Sequence, residues 1–301
     1  MKEVHLTGLE GTNPLGFLAA LGVQVAFATK STQPKLWWSD DVIPHAVTDH
    51  TVDCIVEQVI NVLPLWRKSP AVNPTLPDDS PMPRGDELKI SSDNIRLYLD
   101  QARQDQMAGD LALSLVAEGS MDKQGAAKPS DLYFTAGQQK FLASIRQIMD
   151  RASDDDIRSG LLGPWRYSSD LPSLGWDVAD DRTYALSSCN PSTEKKLTNP
   201  GPEALAVLGL STHNVFARTG RTITLGCSET WKNSKYTWPI WNRPASSYSV
   251  KSLLAHARID DRRPRWFASW GIRMILQSTI RRSAQGGYGT FSPPEVVWQA
   301  P

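Results

Sequence analysis

The stretch Gly8-Leu-Glu-Gly-Thr-Asn-Pro-Leu-Gly-Phe-Leu-Ala-Ala-Leu-Gly22 joins a glycine-controlled loop to a helix built for close packing. Asn13 is placed to cap that helix, and Pro14 to occupy its first turn, where a missing N–H costs nothing. Phe17, Leu18, Leu21 and Val25 fall on one face. Gly16, Ala19, Ala20 and Gly22 leave a low surface on which another backbone can lie. Such glycines lower helix propensity, a loss that only packing recovers. No Gly-Lys-Ser/Thr closes a phosphate loop, and Gly8, Gly11 and Gly16 miss the dinucleotide spacing. The stretch therefore reads as a structural motif, with Gly8, Gly11, Asn13, Pro14, Gly16 and Gly22 as its fixed points.

Around it, Glu3–Leu9 reads as a first strand and Leu36–Ser39 as a short returning one. Val52, Ile55, Val56, Val59, Ile60 and Leu63 recur at helical steps, which predicts an amphipathic helix over His50–Leu63 that Pro64 interrupts. Five prolines between Ser69 and Arg84 predict a surface loop or a disordered excursion with little to bury. Helices are expected over Asp93–Met107 and Gln138–Arg151, with a shorter apolar element at Leu111–Val116, a polar loop at Gly119–Pro129 and a strand from Asp131. Asp154–Asp156 reads as the acidic opening of a helix. Gly163–Gly175 is rich in turn residues.

In the second half, Thr183–Leu186, Arg221–Leu225, Lys235–Ile240, Arg265–Trp270 and Ile272–Ile280 favour strands, although Trp266–Ile280 can also be read as helical. Glu203–Leu210 and Val250–Ala257 favour helices. No internal period is evident. The mixture predicts an α+β fold, a helix-rich acidic N-terminal portion packed with a basic, strand-rich C-terminal portion. The boundary falls near residue 160, giving portions 1–160 and 161–301, either two units or one continuous domain.

Composition sets the outer limits. The 301 residues are 40% hydrophobic with eleven tryptophans, ample for a packed core. No apolar run approaches the roughly 20 residues that span a bilayer, and the N-terminus lacks the features of a signal peptide, so a cytoplasmic protein without membrane partners is expected. Cys54, Cys189 and Cys227 are too few and too scattered for a disulfide framework or a zinc site. The formal net charge of zero hides a polarity: residues 1–160 carry 15 basic against 22 acidic side chains, residues 161–301 carry 17 against 10. From Ser211 onward the balance is 13 to 4, with twelve aromatic residues. Such a segment suits a polyanion or an acidic protein partner.

Within it, Arg258-Ile-Asp-Asp-Arg-Arg-Pro-Arg-Trp-Phe-Ala-Ser-Trp270 mixes arginines that can fork onto phosphates with rings that can stack on bases. Burial of the rings and pairing of the arginines with acids is the competing explanation. Arg281-Arg-Ser-Ala-Gln-Gly-Gly-Tyr-Gly-Thr-Phe291 offers paired arginines and a flexible backbone, or simply a hairpin turn. Arg262, Arg263, Arg265, Trp266, Arg281, Arg282 and Tyr288 are the candidate nucleic-acid-binding residues. Asp177, Asp180 and Asp181 lack the loop pattern of a calcium site and read as a solvated turn. His5, His45, His50, His213 and His256 form no ligand cluster, and no Gly-x-Ser-x-Gly elbow is present. No catalytic set, metal site or cofactor is indicated.

Three segments taken together carry a likeness. They are Leu6-Thr-Gly-Leu-Glu-Gly-Thr-Asn-Pro-Leu-Gly-Phe-Leu-Ala-Ala-Leu-Gly22, Leu174-Gly-Trp-Asp177 with Arg182-Thr-Tyr-Ala-Leu186, and Gln285-Gly-Gly-Tyr-Gly-Thr-Phe291 before Val296-Val-Trp298. In order and spacing the chain resembles proteins of type I-G CRISPR systems, formerly called I-U, in the group of large-subunit-like and helicase-extension proteins. The likeness covers about a third of the residues and rests on packing and turn motifs. It implies a subunit or accessory of an RNA-guided antiviral effector, partnered by effector subunits or the helicase–nuclease and in contact with guide RNA or target DNA. A protein-only adaptor is the second expectation, and a hydrolase with a noncontiguous site the third.

Overall fold

The opening stretch folds as strand β1 (Val4–Glu10) and helix α1 (Pro14–Val25) in a computed structural model of the chain. The structure describes residues 3–77, 88, 90–134, 140–180, 197–228, 233–256, 264–282 and 289–301, without the side chains of residues 180, 264 and 265. After α1 come β2 (Leu36–Trp38), β3 (His45–Thr48), α2 (Val52–Lys68), α3 (Ser92–Arg103) and α4 (Gly109–Leu115). Then follow β4 (Val116–Met121), β5 (Ala127–Pro129), α5 (Phe141–Arg151), α6 (Asp154–Leu162) and α7 (Pro200–Leu210). The last part holds β6 (Val215–Arg218), β7 (Arg221–Thr224), β8 (Lys235–Trp241), α8 (Ser247–His256) and α9 (Pro264–Ser269), then β9 (Ile272–Arg282), β10 (Gly289–Phe291) and β11 (Glu295–Gln299). The fold is α+β, helix-rich in the acidic half and strand-rich in the basic half.

Asn13 Oδ1 accepts the Leu15 N–H at 3.0 Å, and Pro14 takes the first helical turn. The low surface of α1 meets α7. A Cβ on Gly22 would strike the Leu205 carbonyl, and one on Gly209 would strike the Leu18 carbonyl. Positions 18 and 22 thus face 209 and 205, so the helices run antiparallel and each glycine sits against the backbone of the other. Helix α1 as far as Gln24 and the whole of α7 are buried on every side. This explains why neither has a polar stripe. Thr198-Asn199-Pro200 opens α7 as Thr12-Asn13-Pro14 opens α1, a match too short and too interrupted to register as a period. Gly8 abuts the Gly160 carbonyl and Gly163, which brings β1 onto the end of α6.

Two antiparallel sheets flank this pair, ordered β1-β3-β2 and β10-β9-β11 with β8 on the opposite edge of β9. Phe17 of α1 ties them together. It stacks on Trp38 of β2 at 5.7 Å and touches Trp238 and Trp241 of β8 at 6.0 and 6.2 Å. Trp238 Nε1 donates to the Gly11 carbonyl and Trp241 Nε1 to the Leu36 carbonyl, so these indole N–H groups are satisfied inside the core. The main apolar cluster runs from Leu6 to Phe291 and draws on both halves of the chain.

Several sequence expectations are corrected. Helix α2 continues through Pro64 to Lys68, because Trp66 beyond the proline is buried with Val62 and Leu63 while Pro64 itself is exposed. The start of the proline-rich segment is packed: Ala71 and Val72 are buried, and their carbonyls accept from Tyr98 Oη and Arg146 Nη1, each at 2.8 Å. The supposed polar loop Gly119–Pro129 contributes to the β4–β5 hairpin. Residues 131–134 form a turn rather than a strand, and Arg265–Trp270 belongs to helix α9 rather than to a strand. Ser153 caps α6 through a reciprocal box with Asp156. Thr183–Leu186 lies outside the described residues.

Candidate nucleic-acid interface

Of the basic and aromatic residues singled out from sequence, Arg262, Arg263 and Tyr288 lie outside the described residues, as does the side chain of Arg265 on α9. Trp266 is half exposed on α9. Arg281 is half-buried in β9 opposite Thr290 of β10. Arg282 is turned inward. Its Nη2 donates to the Asp131 carbonyl at 2.6 Å and its Nη1 to the Tyr133 carbonyl at 3.2 Å, with the Asp131 carboxylate 3.9 Å away and the Phe134 ring beneath. Both partners are nearly inaccessible, which takes Arg282 out of the exposed basic set. Burial pushes the Asp131 carboxyl up to about 6 despite the opposing pull of Arg282 and a hydrogen bond from Thr224.

Two further basic residues of the C-terminal third also reach acids of the N-terminal half, Lys251 to Asp110 at 3.0 Å and Arg273 to Asp40 at 2.9 Å. Part of the charge polarity therefore goes into holding the halves together. Pairing with acids accounts for these residues; among the described residues Arg243 has no such pair.

Arg243 lines a groove of about 750 Å³ between the end of β8, helix α8 and the α9–β9 turn. Trp241 forms its floor, Tyr248, Ser252 and His256 of α8 form one wall, and Trp270 forms the other. Tyr248 is 81% exposed and Trp270 40%. Among the described residues no acidic side chain lines it. The rings of His256 and Trp270 stand 6.0 Å apart. Trp266 and Trp270 lie one helical turn apart, joined by the Trp270 N–H to the Trp266 carbonyl, so they share a face.

Local sequence explains this geometry. Gly271 has φ +80°, a conformation that suits glycine, and it turns the chain from α9 into β9. The aliphatic stem of Arg243 lies over it, where a Cβ would come within 3.1 Å, leaving the guanidinium at the groove. Ala245 is bridged to Leu36 by a pair of backbone hydrogen bonds, and its carbonyl also accepts from Gln24 Nε2 at 2.9 Å. Gln24 is buried near the end of α1. The opening helix thus anchors the segment that carries Arg243 and leads into α8.

Two polar networks lie away from the groove. Asp177 accepts from Asn13 Nδ2, Tyr167 Oη and the Ala179 N–H, and Tyr167 in turn donates its N–H to Asn199, linking the caps of α1 and α7. Asp177 is buried, so the solvated-turn reading is corrected for that residue; the side chains of Asp180 and Asp181 are outside the described set. His213 Nε2 pairs with Tyr236 Oη at 2.8 Å and its Nδ1 with Thr212 Oγ1 at 3.0 Å. Complete burial pushes this imidazole down to about 4. Cys227 is buried and Cys54 exposed, and among the described residues no three side chains are grouped to hold a metal ion. Among the same residues no helix is long and apolar enough to cross a membrane.

Sequence reasoning missed Arg243, Tyr248, His256 and Trp270 as a set because they come from three separate elements. Only Trp270 stood in a segment rich enough in arginine and rings to attract notice. Compared with known proteins, the chain matches no family model and no curated protein.

Proposed function

We propose that the chain is a non-catalytic, nucleic-acid-binding and scaffolding component of a type I CRISPR effector, and that the groove beside α8 holds a single strand. The observation that carries the reading is the lining: Tyr248 and Trp270 are exposed, Arg243 and His256 lie beside them, and no carboxylate of the described residues faces the space. Exposed rings stack on bases of any identity, and a guanidinium neutralises the phosphate between them. The likeness of the three sequence motifs to type I-G proteins supports placing this binding in an RNA-guided complex.

The test is fluorescence anisotropy with a labelled oligothymidylate, read across a salt series. Tyr248→Ala and Trp270→Ala are each expected to weaken binding by roughly tenfold, the scale of a single base stack. Arg243→Ala is expected to reduce the salt dependence by about one phosphate. Unchanged affinity in all three folded variants overturns the site.

A second reading, a protein-only adaptor, is favoured by one observation. Val42 and Ile43, between β2 and β3, are exposed at 97% and 47%, an apolar tip that suits a protein partner. A complex with the purified helicase–nuclease that survives nuclease treatment and is abolished by Val42→Asp supports it.

A further inference from the structure

Tyr248 of α8 borders a second cavity as well as the groove. This space of about 400 Å³ is bounded by the end of α1, Trp66 of α2, the turn from α3 into α4, the end of α7 and the start of α8. Its walls are largely apolar: Leu21, Trp66 and Val250 are buried, and Val25 and Leu113 are half-buried. Apolar walls with a few fixed polar groups are the usual make-up of a small-ligand site.

Two polar atoms open on these walls. Gln24 is 2% exposed, and its Nε2 donates to the Pro34 and Ala245 carbonyls at 3.0 and 2.9 Å. Those two bonds fix the amide orientation and commit both of its hydrogens, so only the oxygen is left for the cavity. Among the described residues Gln24 Oε1 accepts no hydrogen bond, and Trp66 Nε1, on a side chain 1% exposed, donates none. Neither atom is sealed within the protein, so both face the space that their residues line. The hydroxyls on the wall are committed: Ser211 donates to the Leu208 carbonyl, Thr212 to the Gly209 carbonyl and Ser247 to Gln33 Oε1. Gln24 Oε1 and Trp66 Nε1 are thus the acceptor and donor left open among the buried lining residues, and a ligand that meets both removes a standing penalty.

The charges at the rim are already matched. Lys251 pairs with Asp110 at 3.0 Å, Arg103 lies 3.6 Å from Asp100, and the Asp105 carboxylate accepts the N–H groups of Met107 and Ala108. Such a rim favours a neutral ligand over a free phosphate. Adenine is planar and neutral, carries an amino donor beside a ring-nitrogen acceptor, and has no carbonyl oxygen to leave unpaired.

We propose that this cavity takes one adenine of the strand that lies in the groove, its amino group donating to Gln24 Oε1 and a ring nitrogen accepting from Trp66 Nε1. The strand as the source of the base rests on the nucleic-acid reading of the groove, with Tyr248 as the wall that the two spaces share.

The experiment uses the full chain and three probes: the labelled oligothymidylate, the same strand with one central adenine, and free adenosine followed by saturation-transfer NMR. The adenine-containing strand is expected to bind roughly tenfold more tightly than the all-thymine strand, the scale on which a base-edge contact discriminates. Ala28, exposed at the mouth of the cavity, and Leu113 in its wall are the places to fill it. Ala28→Trp and Leu113→Trp are each expected to abolish the preference and leave all-thymine binding in place. Gln24→Ala is expected to bring the two strands to the same affinity, whereas a loosened backbone anchor alone would weaken both and keep their ratio. Trp66→Phe, which keeps a ring without the N–H, is expected to reduce the preference. Equal affinity of the wild type for the two strands overturns the proposal, as does a preference that persists in both filled variants with wild-type thermal midpoints. If the strands bind equally and adenosine gives no signal, the cavity assignment alone falls. If no strand binds but adenosine does, and both filled variants lose it, the adenine site stands with the free nucleoside as its ligand and the groove reading falls.

Discussion

At the residue scale the fold turns on Gly22 and Gly209, each pressed on a carbonyl of the partner helix. A methyl group at either site has backbone in front of it, which cannot rotate away as a side chain can. Gly22→Ala and Gly209→Ala are each expected to destabilise the chain by about 1–3 kcal/mol, measured by urea denaturation, and the double variant to cost less than the sum because both separate the same helix pair. A cost near zero for Gly22→Ala would contradict the packing. The opening stretch made this legible, since so many small residues in a helix start are wasted unless another backbone lies close. Its partner was not legible. Glu203–Leu210 carries the same small-residue pattern, but Asn199-Pro200 before it is followed two residues on by a second proline, which blurs the helix start in the sequence. Likewise Asp177 read as a surface acid because its partners, Asn13 and Tyr167, approach only in the folded chain.

At the element scale, α1 does more than fill the core. Gln24 holds the carbonyls of Pro34 and Ala245 and so fixes the strap between β8 and α8. Gln24→Ala removes the side-chain donor from two carbonyls in a buried setting, at a cost of about 1–3 kcal/mol, and is expected to weaken oligonucleotide binding through the position of the strap. Wild-type affinity in the folded variant would contradict this anchoring role. Helix α2 and helix α9 show why element boundaries escape sequence. Pro64 costs the helix a hydrogen bond and roughly 3 kcal/mol, but burial of Trp66 beyond it offsets that penalty. The six residues of α9 are too few for a helical period to be told from alternation. The helical turn leaves Trp270 bonded through its N–H to the Trp266 carbonyl, and Trp270 at the groove.

At the scale of the whole molecule, two buried groups set opposing responses to acid. His213 is held neutral down to about 4, below its ordinary 6.5, so the unfolded chain takes up a proton first and stability falls as pH drops from about 6.5 to 4. Asp131 titrates near 6, above its ordinary 3.8, so the folded chain takes up a proton first and stability rises over nearly the same window. Each effect is on the order of 3 kcal/mol. Relative to the wild type, Asp131→Asn is therefore expected to lose about 3 kcal/mol more on going from neutral pH to pH 4, and His213→Gln about 3 kcal/mol less, in urea titrations at each pH. Parallel profiles for the three proteins would contradict this balance. The charge polarity that was plain in the sequence is the third global feature. Some of it is consumed by the pairs Asp110–Lys251, Asp40–Arg273 and Asp131–Arg282, and what the sequence could not reveal was which cations would be left facing a groove.

The central claim is that bases stack in that groove, and photo-crosslinking reads it directly. A single-stranded oligonucleotide carrying bromouridine, irradiated with the full chain and mapped by mass spectrometry, is predicted to join Tyr248 or Trp270. Efficient crosslinks confined to other parts of the chain, with these two rings unmodified, would contradict it.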